Sequence, residues 1–180
     1  MRHQTLAVLL TTAVSLVAVA SAKDPAPVPP DFKLVAGYGP GYSSWLRWQY
    51  TISADGKVAQ DIGPGGRGGG ERVEKETTIS AKDVVALFAK VKEADFFTLK
   101  EQYKGKVTDN PTLVLEVTME KKTHKVLVYG HRHLRAKEDQ DDADRFLAVW
   151  AEVIRKVPAP NPEQKPEMYK PGAYVKKKKA

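Results

Sequence analysis

The chain has 180 residues, of which 42% are hydrophobic and 28% charged, with a net charge of +7 and no cysteine. The lack of cysteine excludes disulfides, thiol catalysis and cysteine-ligated zinc. The positive charge is local, because residues 165–180 hold six lysines against one glutamate, whereas residues 23–164 hold 22 basic and 21 acidic side chains. The folded part is therefore close to neutral, and we expect no nucleic-acid partner.

Residues 1–22 have the three parts of a secretory signal peptide: basic Arg2, an apolar run from Leu6 to Ala20, and the small-residue ending Ala20-Ser21-Ala22. We predict cleavage after Ala22 and a periplasmic or secreted protein. A membrane anchor is the alternative, but the apolar run is short for a span and contains threonine and serine. No cysteine follows the cleavage site, which excludes a lipid anchor on cysteine.

The rest of the chain divides by composition into three segments. We predict a proline-rich spacer at residues 23–30, a single α+β domain at residues 31–157, and a disordered tail rich in proline and lysine at residues 158–180. Removal of 22 residues from 180 leaves 158, which is one domain's worth. A domain of that size buries roughly two thirds of its unfolded surface, so it folds without disulfides.

Three strands are predicted before the first helix. Residues 44–53 alternate between apolar and polar side chains, which is typical of a half-buried strand. Asp55-Gly56 predicts a hairpin turn into a second strand at residues 57–62, and a third covers residues 73–79. Trp45 falls on the polar side of the first strand with Arg47 and Gln49, where it either caps the sheet edge or makes an exposed contact.

A glycine-rich segment, Gly63 to Gly70, joins the second and third strands. A phosphate-binding loop requires Gly-Lys-Ser/Thr directly before a helix. Here Arg67 is the only cation and a strand follows, so the pattern favours a flexible hairpin loop over an anion cradle.

The central stretch, residues 79–111, predicts a capped helix followed by a turn. Ser80 and Asp83 have the spacing of an N-terminal cap. One apolar stripe follows at helical spacing, formed by Val84, Leu87, Phe88 and Val91. Thr108 to Pro111 are turn residues that start an extended segment.

Two strands and a second helix are predicted after this turn. Residues 113–119 alternate in polarity, and residues 124–129 form the next strand. Acidic residues 139–144 precede an apolar stripe at helical spacing that ends before Pro158. The order βββαββα predicts an α+β fold, in which two helices pack on one face of an antiparallel sheet of about five strands.

The middle of the chain resembles a known family of secreted bacterial domains. The residues that carry the resemblance are Ile79-Ser80, Phe88, Ala94, Phe96, Phe97, Leu99, Tyr103, Thr108-Asp109 and Pro111. This order is similar to that of domain of unknown function 6438, over roughly residues 31–157. The resemblance implies no activity. After Tyr129 the chain departs from the family pattern, with GHRHLRAKEDQDDAD in place of a short proline-bearing loop.

No catalytic residue is predicted, because the chain has no Gly-x-Ser-x-Gly nucleophile motif and no other catalytic signature. The candidate binding residues are Trp45, Arg47, Gln49, Thr108 and Asp109. Turn formation also explains Asp109. We therefore expect an exported, non-enzymatic binding or interaction module that uses no cofactor, with an extracytoplasmic protein or ligand as its partner.

The alternative is a metal-binding protein or a metal-assisted hydrolase. It would use His124, His131 and His133 as ligands, since imidazoles at alternate positions can share a metal. A solvated loop explains the same histidines.

The lysine tail, residues 165–180, has two explanations. Lys176 to Lys179 can contact an anionic envelope surface, each adding about 1 kcal/mol in a salt-sensitive attachment. The other explanation is a solvated segment.

Overall fold

The computed structural model describes residues 27–39, 46–64 and 72–158. These residues form one seven-stranded sheet and two α-helices, which confirms the predicted α+β class. In chain order the elements are β1 (Lys33–Gly39), β2 (Leu46–Ser53), β3 (Lys57–Pro64), β4 (Val73–Thr78), α1 (Ala81–Glu93), β5 (Gln102–Lys104), β6 (Thr112–Met119), β7 (Lys122–Tyr129) and α2 (Lys137–Lys156).

The prediction of about five antiparallel strands in the order βββαββα requires correction. The strands lie in the spatial order β4-β3-β2-β1-β6-β7-β5, so β1 and β5 were missed. The missed β1 is the central strand, and its small residues Ala36, Gly37 and Gly39 weaken the strand signal in the sequence. The short β5 pairs parallel with β7, which makes the sheet mixed.

One face of the sheet, which we call the inner face, packs against both helices. The core combines inner-face residues such as Tyr50 and Leu115 with helix residues such as Leu87 and Phe146. The predicted apolar stripe of α1 is confirmed: its buried residues are Val84, Leu87, Phe88 and Val91. Burial of each of these side chains contributes about 1.5–3 kcal/mol, so the stripe determines which way α1 faces.

Aromatic rings fill the inner face around Trp48. The ring of Trp48 stacks on Tyr50, with centroids 4.4 Å apart, and on Trp150 of α2 at 5.2 Å. Tyr38 of β1 also stacks on Trp48, with ring centroids 5.8 Å apart. This aromatic stack fixes α2 against β1 and β2.

The ends of the two helices are held by polar contacts. Ser80 caps α1 as predicted: its Oγ accepts from the Asp83 backbone N–H at 3.2 Å and donates to the Asp83 carboxylate at 2.6 Å. Lys156, at the end of α2, pairs with the same carboxylate. Hydrogen bonds from Lys156 and Ser80 hold the pKa of Asp83 below its usual value.

Two hairpin turns of the sheet are held by polar contacts. Gly56 has φ +83°, and its N–H donates to the Ser53 carbonyl at 3.0 Å, which confirms the Asp55-Gly56 turn. In the β6–β7 turn, Glu120 and Lys121 both have positive φ. The Asp31 carboxylate accepts from their backbone N–H groups at 3.1 and 2.6 Å, so a residue before β1 holds this distant turn.

Three predicted segments are described only in part: the spacer, the glycine-rich loop, of which residues 65–70 lie outside the described residues, and the tail. Within the predicted spacer, Val28 packs against the core, and the Pro29 carbonyl accepts from the Phe32 N–H at 3.0 Å. The predicted signal peptide and all of the predicted tail beyond Pro158 lie outside the described residues. No helix within the described ranges combines the length and the apolar character needed to cross a membrane.

Candidate binding surface on the open sheet face

The side of the sheet opposite the helices, which we call the open face, carries every second residue of the same strands. On β2, Trp48 and Tyr50 point inward and are buried, whereas Arg47 and Gln49 are exposed. Alternation along a strand requires this arrangement, because successive side chains point to opposite faces. The open face is therefore the side of the central strands that the helices leave available.

A shallow depression of about 390 Å³ lies on the open face across β3, β2, β1, β6 and β7. Its floor is formed by Gly37, Gly39, Val35 and Val114. Its rim carries Arg47, Gln49, Asp61, Glu116 and Lys125. The register explains the shape, since Gly37 stands between Gln49 of β2 and Val114 of β6.

The two floor glycines are not required by the backbone. Neither has the positive φ that favours glycine. A Cβ at Gly37 would lie 3.7 Å from the Val114 Cβ and 4.0 Å from the Trp48 carbonyl oxygen, and both are ordinary contacts. Glycine in a strand interior weakens the strand and often marks a bulge, a tight bend, or the close approach of a ligand or another backbone. The depression therefore exists because these two glycines carry no side chain, although the fold has room for one at each position.

The charged groups around the depression are unequally paired. Asp61 accepts two hydrogen bonds from Arg72, at 2.8 and 3.0 Å. Glu116 and Lys125 face each other at 4.0 Å, which is a loose pair. Arg47 lies across Gly63, where an added Cβ would stand 3.3 Å from its Nε. Among the described residues no carboxylate forms an ion pair with Arg47.

The predicted binding residues separate into three groups. Arg47 and Gln49 both line the depression. Thr108 and Asp109 are exposed in the turn before β6, where Asp109 has φ +59° and the Thr108 carbonyl accepts from the Asn110 side chain at 3.0 Å. They do not line the depression. Trp45 lies outside the described residues.

The three histidines of the metal alternative have different environments. His124 lies on the inner face of β7, where its Nε2 is 2.8 Å from the Leu99 carbonyl and its ring contacts Phe96 and Phe97. His131 is half-buried, and burial lowers its pKa to about 4. Residues 27–39, 46–64 and 72–158 contain no group of three side chains suited to hold a metal ion.

A second polar cluster joins β5 to α2. The Tyr103 hydroxyl donates to Asp142 at 2.8 Å and accepts from the Lys100 backbone N–H at 2.7 Å. Arg145 donates to the same carboxylate at 2.6 Å and to the Ala94 carbonyl at 3.0 Å. Burial is the main cause that raises the pKa of Tyr103 to about 12. Since these groups satisfy one another, the cluster fixes the short edge strand to the helix.

Sequence reasoning missed most of the depression. Three of its four floor residues lie in β1, which was not predicted as a strand, and Asp61, Glu116 and Lys125 come from three other strands. One signal was present: Leu34, Ala36 and Tyr38 alternate with polar or small residues, and the glycines fall on one face.

One family model, described as Domain of unknown function (DUF6438), matches residues 49–145, which is more than half of the chain. No curated protein matches the chain.

Proposed function

We propose that this chain, which belongs to the DUF6438 family, is a non-enzymatic binding or interaction module that works outside the cytoplasm. The observation that carries the proposal is the depression on the open face, with glycines at its floor and charged groups at its rim. Its partner is a protein or ligand that lies across β1 and β2.

The chemistry of the depression supports a shallow, polar contact. A depression that is open along one side and lined by both signs of charge suits an extended surface better than a small enclosed substrate. Arg47, which has no acidic partner among the described residues, supplies a site for an anionic group of the partner. The other acids and bases of the rim supply polar contacts that fix orientation.

The proposal is tested by filling the depression without disturbing the fold. The chain is immobilised and used to capture partners from the extracytoplasmic extract of the producing organism, in parallel with the Gly37→Leu variant. We expect a stoichiometric partner on the unaltered chain and its loss on Gly37→Leu, because the leucine side chain would occupy the floor.

Two control variants make this test specific. Gly37→Ala adds one methyl group and should retain the partner. Lys82→Leu places the same leucine on the exposed side of α1, away from the open face, and should also retain it. A partner held equally by Gly37→Leu would show that the depression is not the contact. A chain that captures nothing, and whose melting temperature rises with a small substrate or a divalent ion, would contradict an interaction module altogether.

Export is a separate part of the proposal and rests on the composition of residues 1–22. N-terminal sequencing of the protein recovered from the extracytoplasmic fraction should begin at Lys23. Recovery of Met1 from the cytoplasm of the producing cell would contradict export.

A further inference from the structure

A second concave site, which we call the end pocket, lies where the end of α1 and the short 3₁₀ helix after it meet the β6–β7 turn. Its volume is about 220 Å³. The apolar part of its lining consists of Val91, Phe96 and Met119, which are buried, and Phe97, which is half-buried. The end pocket shares no lining residue with the depression on the open face, so it is a separate candidate site.

Four exposed charged side chains complete the lining of the end pocket, two of each sign. Lys92 and Asp95 come from the end of α1, whereas Glu120 and Lys122 come from the β6–β7 turn. Within the described ranges, none of the four forms an ion pair. A ligand that carries one positive and one negative group would therefore find an opposite charge for each of them at this pocket.

Both carboxylates of the end pocket stand at backbone positions that favour glycine. Asp95, directly after the C-terminal cap of α1, has φ 46°, and Glu120, in the two-residue β6–β7 turn, has φ 53°. Glycine adopts a positive φ without strain, aspartate tolerates it, and glutamate is disfavoured. Strained residues are found preferentially at functional sites. The fold therefore carries two carboxylates at one pocket in places where glycine would be less strained.

We propose that the end pocket binds a free amino acid with an apolar side chain. The ammonium group of the ligand pairs with Asp95 and Glu120, and its carboxylate pairs with Lys92 or Lys122. Its side chain contacts the apolar part of the lining. A purely anionic ligand would face the two carboxylates, and a purely cationic ligand would face the two lysines, so a zwitterion suits the pocket best.

The volume of the end pocket limits the ligand to a single residue. A cavity of about 150 Å³ holds a benzene ring. The 220 Å³ of the end pocket therefore accommodates one apolar side chain together with its amino and carboxyl groups. Pockets for drug-sized ligands start at about 300 Å³, so a larger molecule does not fit. Met119 is flexible at its thioether, which allows apolar side chains of different shape.

Calorimetric titration and thermal unfolding of the full chain test the proposal with L-leucine, L-methionine and L-phenylalanine. We expect at least one of them to bind, and to raise the melting temperature by about 4 °C at a concentration tenfold above its dissociation constant. For leucine, the amide lacks the carboxylate and the N-acetyl derivative lacks the ammonium group. Each derivative should bind at least about tenfold more weakly than its parent amino acid, because one charged contact is lost.

These ligands also supply the results that would overturn the proposal. The absence of binding by all three amino acids would do so. If the amide binds as tightly as the amino acid and only the N-acetyl derivative is weak, the pocket recognises the amino terminus of a peptide, and a free amino acid is wrong.

Two variants locate the site without depending on a damaged fold. Glu120→Gly removes a carboxylate and relieves the positive φ, so it should leave the melting temperature unchanged or raise it while weakening amino-acid binding about tenfold. Asp95→Asn keeps the shape of the side chain, and asparagine tolerates the same φ, so it should weaken binding by a similar factor.

The matched controls lie elsewhere on the domain. Lys82→Gln removes a charge from the exposed side of α1, and Gly37→Leu fills the depression on the open face. Both should bind the amino acid as the unaltered chain does. Unchanged binding by Glu120→Gly and Asp95→Asn, or a loss of binding in Gly37→Leu, would overturn the assignment to the end pocket.

Discussion

The two faces of the central sheet are made by the same strands and differ in composition. On the inner face, Trp48 stacks on three aromatic rings from β1, β2 and α2. On the open face, one residue away, Gly37 leaves a depression and Arg47 is exposed. The comparison teaches that apolar burial is concentrated on one face, so that the other can carry glycines that weaken a strand. The contact surface that we propose would use this freedom.

The largest effect is expected at the centre of the aromatic stack. Trp48→Ala should lower the free energy of unfolding by about 3–5 kcal/mol, because it removes a buried ring and leaves a cavity between β2 and α2. The matched variant is Gln49→Ala, the next residue on the same strand, whose side chain is on the open face. It should change the free energy by no more than about 0.5 kcal/mol. Urea unfolding of both variants measures the difference.

This pair of variants can break the comparison of the two faces. If Gln49→Ala lowers the free energy of unfolding as much as Trp48→Ala does, the open face is part of the stabilising core in solution. The proposal that it is a free contact surface would then be wrong. The slope of the unfolding free energy against urea concentration must be the same in both variants and the unaltered chain. A changed slope would report a change in the unfolded or native state, and the free energies could not then be compared.

An intermediate effect is expected at Tyr103. Tyr103→Phe keeps the buried ring but leaves the Lys100 N–H without its acceptor and removes one donor from Asp142. Unsatisfied polar groups in such a partly buried site cost about 1–3 kcal/mol, which urea unfolding near neutral pH would measure. A loss well below this range would show that water replaces the hydroxyl.

The same variant makes a prediction about pH. Burial is the main cause that raises the pKa of Tyr103 from 10.0 to about 12 in the folded chain. Its stabilising effect is therefore complete below pH 10 and is lost as the pH rises toward 12. Across this interval the free energy of unfolding should fall more for the unaltered chain than for Tyr103→Phe. The lysines titrate in both proteins, so their contribution cancels when one pH curve is subtracted from the other. Parallel pH curves would contradict the raised pKa.

A small gain in stability is expected on the open face. Gly37→Ala should raise the free energy of unfolding by about 0.5–1 kcal/mol, because alanine restricts the unfolded chain and its Cβ finds only ordinary contacts. Gly130→Ala is the contrasting variant, since Gly130 has φ +58° and its Cβ would lie 2.5 Å from Val107. It should destabilise. If Gly37→Ala also destabilises, glycine at 37 is needed for the strand and not for a ligand.

The sequence predicts what depends on neighbours along the chain and misses what depends on the order of strands. The Ser80 cap and the apolar stripe of α1 were predicted because each depends only on residues of one helix. The central β1 was missed because Ala36 and Gly37 have low strand propensity, and only its two neighbours make it a strand. Arg47 and Gln49 were predicted from alternation, but nothing local brings Glu116 to the same depression from a strand that starts some 60 residues later.

The smallest effect on stability, and the sharpest separation of the two faces, is expected at Arg47. Arg47→Gln should leave the free energy of unfolding within about 0.5 kcal/mol, because the described residues give it no ion pair to lose. It should weaken capture of an anionic partner by about tenfold, as expected when one charge-assisted hydrogen bond is lost. Lys82→Gln, an equal loss of charge on the exposed side of α1, controls for long-range electrostatics and should leave capture unchanged. If both variants weaken capture equally, Arg47 acts only through the net charge of the protein. The proposed specific contact between Arg47 and an anionic group of the partner would then be wrong.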